Sequence, residues 1–183
     1  GSSDSKKNVL KNIKIVSKKI KNKSKKIVLL NQIHSNNFHF INKNLKTPSN
    51  KLTGDALITN KKNTAIGILT ADCAPILLHD ETNKMIAAIH AGWKGAYKGI
   101  IEKVIKFMIK KGCSPKNITA VIGPCISVNS YQVRQNFIKK FMQQSKKNKV
   151  FFKKIRDKNY FNLNKYIYFQ IKRLKIKKID IIK

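Results

Sequence analysis

The stretch from Gly54 to Ser127 sets the terms for the whole chain. It holds ten Lys against five acids, a net of +5, while the other 109 residues hold thirty Lys or Arg against three acids, a net of +27. A segment that stays nearly balanced inside lysine-filled flanks is constrained by packing and chemistry. It carries all three cysteines, the single Trp, two of the four His and five of the eight acids. It also breaks into short apolar runs of strand length, Ala56–Thr59, Ala65–Thr70, Pro75–His79 and Met85–His90, separated by turn residues such as Asn60–Asn63 and Asp80–Asn83. Two of the breaks, Asp72-Cys73 and His90-Ala91-Gly92, place reactive side chains at strand ends, where functional sites commonly sit.

Around this centre the pattern gives further elements. Lys6 to Ile20 spaces Val9, Leu10, Ile13, Val16 and Ile20 along one helical face with lysines opposite. Lys26–Ile33 reads as a buried strand delivering Gln32 and His34, and Phe38–Asn50, with Thr47-Pro48-Ser49, reads as loop. Gly99–Lys111 is a helix with Ile101, Val104, Ile105 and Met108 on one face and Gly112 as its stop signal. Ile118–Ile122 is a strand, Gln135–Gln144 and Asn164–Leu174 are helices, and Lys178–Ile182 is a last strand. Helices and strands mix without strict alternation, so the class is α+β or mixed α/β, in one domain over residues 1–183. A chain of 183 residues is long enough to bury a substantial core.

Composition excludes some classes and weighs on others. No segment reaches the roughly 20 uninterrupted apolar residues of a membrane span, since Asp72 and Pro75 break the most apolar run. The polar start, Gly1-Ser2-Ser3-Asp4-Ser5, has no apolar region of a secretory signal. Cysteines at 73, 113 and 125 are odd in number and lack framework spacing, which points to free thiols in a reducing compartment, by default the cytoplasm. The net charge of +32 invites a nucleic-acid reading. Against it, Lys outnumbers Arg 37 to 3, and base readout and bidentate phosphate contacts favour Arg. The lysines are also spread among Asn and Ile instead of gathered in one patch. A solvated lysine surface is the expectation, with a polyanion-binding protein as the non-enzyme alternative.

His34, Cys73 and His90 make a candidate metal set. Two imidazoles and a thiolate suit Zn²⁺, and three protein ligands leave a fourth position for water, whose pKa falls to about 7. Spacing alone argues weakly, because the three are far apart in sequence; a lone His is usually a hydrogen-bonded structural residue and a lone Cys a small buried hydrophobe. The same residues permit a metal-free site, with Cys73 as nucleophile, His90 as base and Asp72 or another acid orienting the imidazole; Asp72 is also a candidate acid or base in its own right. Such a site fits a hydrolase acting on an amide of the cell-wall type. Cys125, between Pro124 and Ile126 after a strand, is a pocket candidate or a buried thiol in a turn. Trp93 is a stacking surface or a core residue, and Cys113 is incidental.

Five blocks occur in order: Gln32-Ile33-His34, Gly54-Asp55-Ala56-Leu57-Ile58-Thr59, Thr70-Ala71-Asp72-Cys73-Ala74-Pro75, His90-Ala91-Gly92-Trp93-Lys94-Gly95 and Gly123-Pro124-Cys125-Ile126. Together they resemble the laccase-domain family, once called multicopper polyphenol oxidoreductases and now regarded as purine nucleoside phosphorylases. The resemblance is close from about His34 to Val133 and looser in the flanks. It implies an α/β sandwich of mixed sheets with helices outside. It implies a catalytic zinc on His34, Cys73 and His90, and phosphorolysis of adenosine, inosine and methylthioadenosine, together with deamination of adenosine by water. Purine nucleoside and phosphate are then the small-molecule partners, and Lys94 with the turn near Gly92 is a candidate phosphate contact. Copper fits less well, because two His and one Cys cannot supply several copper centres.

The chain also departs from the family pattern. Ser35 stands where the family usually has Gly, Lys94 replaces an Arg, and Gln132 replaces an acid after Tyr131. Family chains continue at both ends, with a C-terminal stretch containing Cys and Arg beside the site, so this chain is expected to lack family segments at both ends.

Overall fold

In the computed structural model, residues 4–20, 27–42 and 52–182 are described. The expected Thr47-Pro48-Ser49 loop and Gly1-Ser2-Ser3 lie outside them. The elements run α1 (Lys6–Lys19), β1 (Ile27–Val28), β2 (Phe38–Ile41), β3 (Ala56–Thr59), β4 (Ala65–Ile66), β5 (Ala74–Asp80) and β6 (Met85–Ala91). They continue with α2 (Trp93–Tyr97), α3 (Ile100–Lys110), β7 (Ile118–Ile122), β8 (Gln132–Val133), α4 (Gln135–Gln144), β9 (Phe152–Ile155), β10 (Lys158–Phe161), α5 (Leu163–Arg173) and β11 (Lys178–Ile181). The architecture is α+β, with a mixed sheet and helices packed on it, as the sequence implied.

Six strands form the main sheet in the order β11-β7-β5-β6-β3-β2. The outer pairs β11–β7 and β2–β3 are parallel; β7–β5, β5–β6 and β6–β3 are antiparallel. Strand periodicity sorts the faces. Ala56, Ile58, Ile76, Leu78, Ala87, Ile89, Ala120 and Ile122 point to one side, where they pack with Ile101, Val104, Ile105 and Met108 of α3 and Ile167 and Ile171 of α5. The four α3 residues are those the helical spacing selected, and each is fully buried, contributing about 1.5–3 kcal/mol apiece. The opposite face is covered at the β2–β3 end, where Leu57 and Ile41 pack under Leu30, Val28, Leu52 and Ile66.

Several expectations need correction. Phe38–Ile41 is strand, not loop: Phe38 and Phe40 turn inward onto Phe107 at 5.0 and 5.2 Å, a tertiary contact that local spacing does not announce. Lys26 lies outside the described residues; the rest of the expected strand at Lys26–Ile33 and that at Ala65–Thr70 give the two-residue pair β1–β4, with Leu29 onward leaving the pairing and Asn31 making an isolated bridge to Thr53. The three-stranded sheet β8-β10-β9 has no clear sequence signal, because its strands are only two to four residues long. α1 forms, but Leu10, Val16 and Ile20 on its apolar stripe are exposed. None of the described helices is long and apolar enough to cross a membrane.

Two polar devices lock the centre. Gly112 follows α3 with φ 97°, a left-handed conformation that glycine adopts without strain, and lets Cys113 N–H return to the Met108 carbonyl at 3.1 Å. Beside it, the buried Asp80 accepts from Asn83 N–H at 2.8 Å and Ser114 N–H at 3.3 Å, tying the β5–β6 turn to the α3–β7 loop. Burial alone would raise its pKa, but the hydrogen bonds from Asn83, Cys113 and Ser114 outweigh it and hold the carboxyl below its ordinary value. Because the folded pKa is depressed, this stabilisation is present above the unfolded value of about 3.9 and fades as pH falls through the lower folded value. Asp80→Ala is therefore expected to lose about 1–3 kcal/mol in urea titrations at pH 7. The gap to wild type should narrow below about pH 4.

Candidate metal centre

The sheet register builds the site. Pairing Ala56 with Ile89 sets Asp55 opposite His90, and pairing Ala74 with Ala91 sets Cys73 one step beyond the start of β5. Asp55, His90 and Cys73 thus lie out of phase with the core-facing residues, on one face at the ends of three adjacent strands. His34 joins them from the loop before β2, in a left-handed conformation with φ 57°. Asp72 is also left-handed, at φ 75°, and its carbonyl accepts from Ile126 N–H at 3.0 Å, docking the loop after β7 against the site. Non-glycine residues in this region cluster at functional sites.

The side chains of His34, Cys73 and His90 converge, with their donor atoms all within 4.8 Å of one another. Cys73 Sγ lies 3.6 Å from His34 Nε2, and the two imidazoles meet edge to face at a centroid distance of 4.8 Å. Donors around a tetrahedral Zn²⁺ are separated by roughly 3.3–3.6 Å, given Zn–N near 2.0–2.1 Å and Zn–S near 2.3 Å. The donor set fits one such ion with modest closure. His90 is buried while His34 is exposed, so the group opens to solvent on one side.

Gly92 marks how tightly this group is packed. A Cβ there would stand 2.7 Å from Cys73 Sγ and 2.9 Å from His34 Cδ2. Gly95 serves the next layer, since a Cβ would come 2.9 Å from the Ser35 carbonyl of the His34 loop.

Asp55 was quoted in the sequence blocks without a role, and it is the residue that sequence reasoning missed. It is fully buried, and its carboxylate accepts from His90 Nδ1–H at 2.8 Å, His34 N–H at 2.9 Å, and Ser35 N–H and Oγ–H, each at 2.6 Å. Desolvation opposes its ionisation, but the hydrogen bonds from Ser35, His90 and His34 prevail and lower its pKa. An acid beside a glycine at the head of an apolar strand, in so lysine-rich a chain, was the available signal.

The electrostatics set His34 apart from the thiol. Burial, then the proximity of His90, depress the His34 pKa, with Lys94 adding to the effect; the nearby Asp55 charge opposes them. The lowered pKa favours the neutral form of His34, the form that binds metal. Burial, Asp72 and Asp55 all push the Cys73 thiol up. Tyr131, pushed up to about 12 by burial and by Cys73, keeps its phenolic proton beside the site.

The remaining candidates fall as follows. Asp72 and Lys94 are exposed next to the donors, and Lys94 is close enough for its charge to act on His34. Cys125 is half-buried, its thiol raised by burial and by Cys73. Trp93 is engaged by the aromatic core, with Phe137 at 4.9 Å, and the ammonium groups of Lys94 and Lys140 lie 5.8 and 5.6 Å from its centroid. Cys113 is buried against Met85, away from the donors, its thiol pushed up to about 12 first by burial and then by Asp80.

The sequence model of the family described as "Multi-copper polyphenol oxidoreductase laccase" matches residues 1–183. The chain belongs to this family. A relative of this laccase-domain protein named purine nucleoside phosphorylase, from Rickettsia prowazekii, is 36% identical over 159 residues, covering 86% of this chain and 64% of its own length. Another of that name, from Aquifex aeolicus, is 42% identical over 103 residues, or 55% of this chain and 48% of its own length. The chain thus spans less than two thirds of these relatives. Among solved structures, the hypothetical protein YfiH of Bacillus licheniformis superimposes with a TM-score of 0.86 at 24% identity, over 98% of this chain and 71% of that one. YlmD of Geobacillus stearothermophilus gives 0.85 at 18% identity, covering 98% and 70%. These two likenesses establish the shared fold. The word multi-copper does not describe the donor set here: among the described residues, one three-donor group is present.

Proposed function

We propose that this laccase-domain chain carries a zinc-dependent purine nucleoside phosphorylase site, acting on adenosine, inosine and methylthioadenosine, with a secondary adenosine deaminase activity. The observation that carries the reading is the convergence of His34, Cys73 and His90 in a chain whose relatives are named purine nucleoside phosphorylase. His34 Nε2, Cys73 Sγ and His90 Nε2 would hold the ion. A zinc there supplies Lewis acidity and acidifies water at its open position.

The chain's own groups take the remaining roles. Lys94 offers the cation that draws phosphate to the site, as a point charge in place of the family's Arg fork. Phosphate then attacks the ribose anomeric carbon as the bond to the purine nitrogen breaks, and the departing base takes up a proton at that nitrogen. Asp72, exposed next to Cys73, is the acid or base placed to exchange it. Cys125 and Tyr131, each close enough to Cys73 for its charge to act on them, are the residues we assign to the inner side of the site. In deamination, water replaces phosphate and attacks the purine carbon that bears the amino group, releasing ammonia. Three free thiols agree with a reducing compartment, and the cytoplasm is the setting we propose.

The electrostatics favour this reading over a metal-free cysteine hydrolase. Burial and the charges of Asp72 and Asp55 all disfavour a free Cys73 thiolate, the form that a metal-free nucleophile needs. A bound divalent cation reverses that balance by taking the thiolate as ligand.

Elemental analysis of wild type, Cys73→Ala and His90→Ala, paired with adenosine turnover in phosphate buffer, tests the proposal. The expected result is about one zinc per chain, lost together with turnover in both variants. Zinc without turnover in the wild type would reject the activity and keep the site. Absence of metal, with activity surviving chelation and lost on thiol alkylation, would reverse the assignment.

A further inference from the structure

We infer that Asp55 is the positioning residue of the metal centre, fixing both imidazole ligands at once through a single carboxylate. The inference rests on the metal reading above. Four donors converge on this side chain, which is fully buried. Oδ1 takes His90 Nδ1–H and His34 N–H, and Oδ2 takes Ser35 N–H and Oγ–H. Backbone N–H groups can only donate, so the carboxylate stands as acceptor at both oxygens. The hydrogen bond to Asp55 therefore holds a His90 proton on Nδ1, which leaves Nε2 as the ring atom for the ion. Carboxylates that fix the tautomer and ring orientation of a metal-ligating His are a general device. Here the same group also reaches the second ligand. By drawing in the N–H groups of His34 and Ser35 together, it anchors the loop that holds His34 in its left-handed conformation.

Ser35 makes the arrangement particular to this chain. The resemblance gives glycine at this position in the family, which has no side-chain donor. Ser35 Oγ supplies a fourth hydrogen bond to Asp55, and it also accepts from Asn37 N–H at 3.1 Å. Asp55→Asn would break the acceptor pattern, because one amide face must present N–H to a group that itself only donates. If the amide N–H faces His90, it favours the opposite tautomer, with the proton on Nε2 where the ion would bind.

The test reads the histidine tautomer and the metal affinity independently of turnover. In ¹⁵N-His NMR of the metal-free wild type at neutral pH, His90 is expected as the Nδ1–H tautomer with Nε2 unprotonated. Asp55→Asn should mix or reverse the tautomers and weaken zinc binding by roughly 10- to 100-fold in chelator competition. Ser35→Gly, which keeps the carboxylate, should weaken zinc by less than Asp55→Asn and leave the tautomer unchanged. A wild-type His90 protonated mainly on Nε2 would overturn the inference, as would Asp55→Asn binding zinc as tightly as wild type. If Asp55→Asn does not fold, the wild-type tautomer still decides. A wild type that takes up no zinc rejects the metal reading itself, while the Nδ1–H result would still place the His90 proton under Asp55.

Discussion

Gly92→Ala is expected to abolish metal binding while leaving the fold intact. The backbone at Gly92 has φ −71° and ψ 166°, which any residue adopts, so the substitution introduces no dihedral strain. The effect comes from one added carbon, placed 2.7 Å from Cys73 Sγ and 2.9 Å from His34 Cδ2. Neither contact can stay, and the atoms that must move belong to two of the three donors. Ala91, Gly95 and Ala96 around it are buried, so the α2 backbone has little room to retreat. Displacing reacting groups by about 1 Å costs on the order of 10²-fold in rate, and turnover of adenosine in phosphate should fall by at least that much. Zinc per chain, read by elemental analysis, should drop towards zero, whereas the urea midpoint should move only slightly. A variant that keeps its zinc would show that the donors hold the ion without this close packing.

The largest expected stability effect is at Phe141. Its ring meets Phe137 at 4.8 Å, Phe161 at 4.9 Å, Tyr97 at 5.1 Å, Tyr166 at 5.2 Å and Phe152 at 5.8 Å. It is fully buried and joins α4, α5 and the three-stranded sheet to the helix that follows the candidate metal centre. Phe141→Ala removes the side chain on which these rings converge, and the cavity cannot collapse without moving several elements. A loss of about 3–5 kcal/mol is expected, at the upper end for buried aromatic truncations. In a chain of this size each kcal/mol moves the melting temperature by about 2–4 °C, so the midpoint should drop by on the order of 10 °C. Because the α2 residues Trp93 and Tyr97 lean on the same ring, zinc affinity should weaken too, but less than in Gly92→Ala.

The sequence by itself determined the elements whose residues solve a local problem. α3 could be read from its apolar spacing and its glycine stop, and β3, β5, β6 and β7 from short apolar runs between turns, because burying one face imposes a period on the chain. The candidate donors His34, Cys73 and His90, which the structure brings together, stand out through the ordered blocks and through the chemistry of imidazole and thiolate. Tertiary structure alone decided what depends on partners distant in the chain. Phe38–Ile41 becomes strand because Ala56–Thr59 offers it a ladder and Phe107 a surface. Lys158–Phe161 becomes strand because Gln132–Val133 and Phe152–Ile155 flank it, one on each side. Asp55 acquires its role only when the β3–β6 register sets it across from His90 and the His34 loop folds back onto it. A buried charge is tolerable only where donors surround it, and those donors come from positions 34, 35 and 90, which no local window contains.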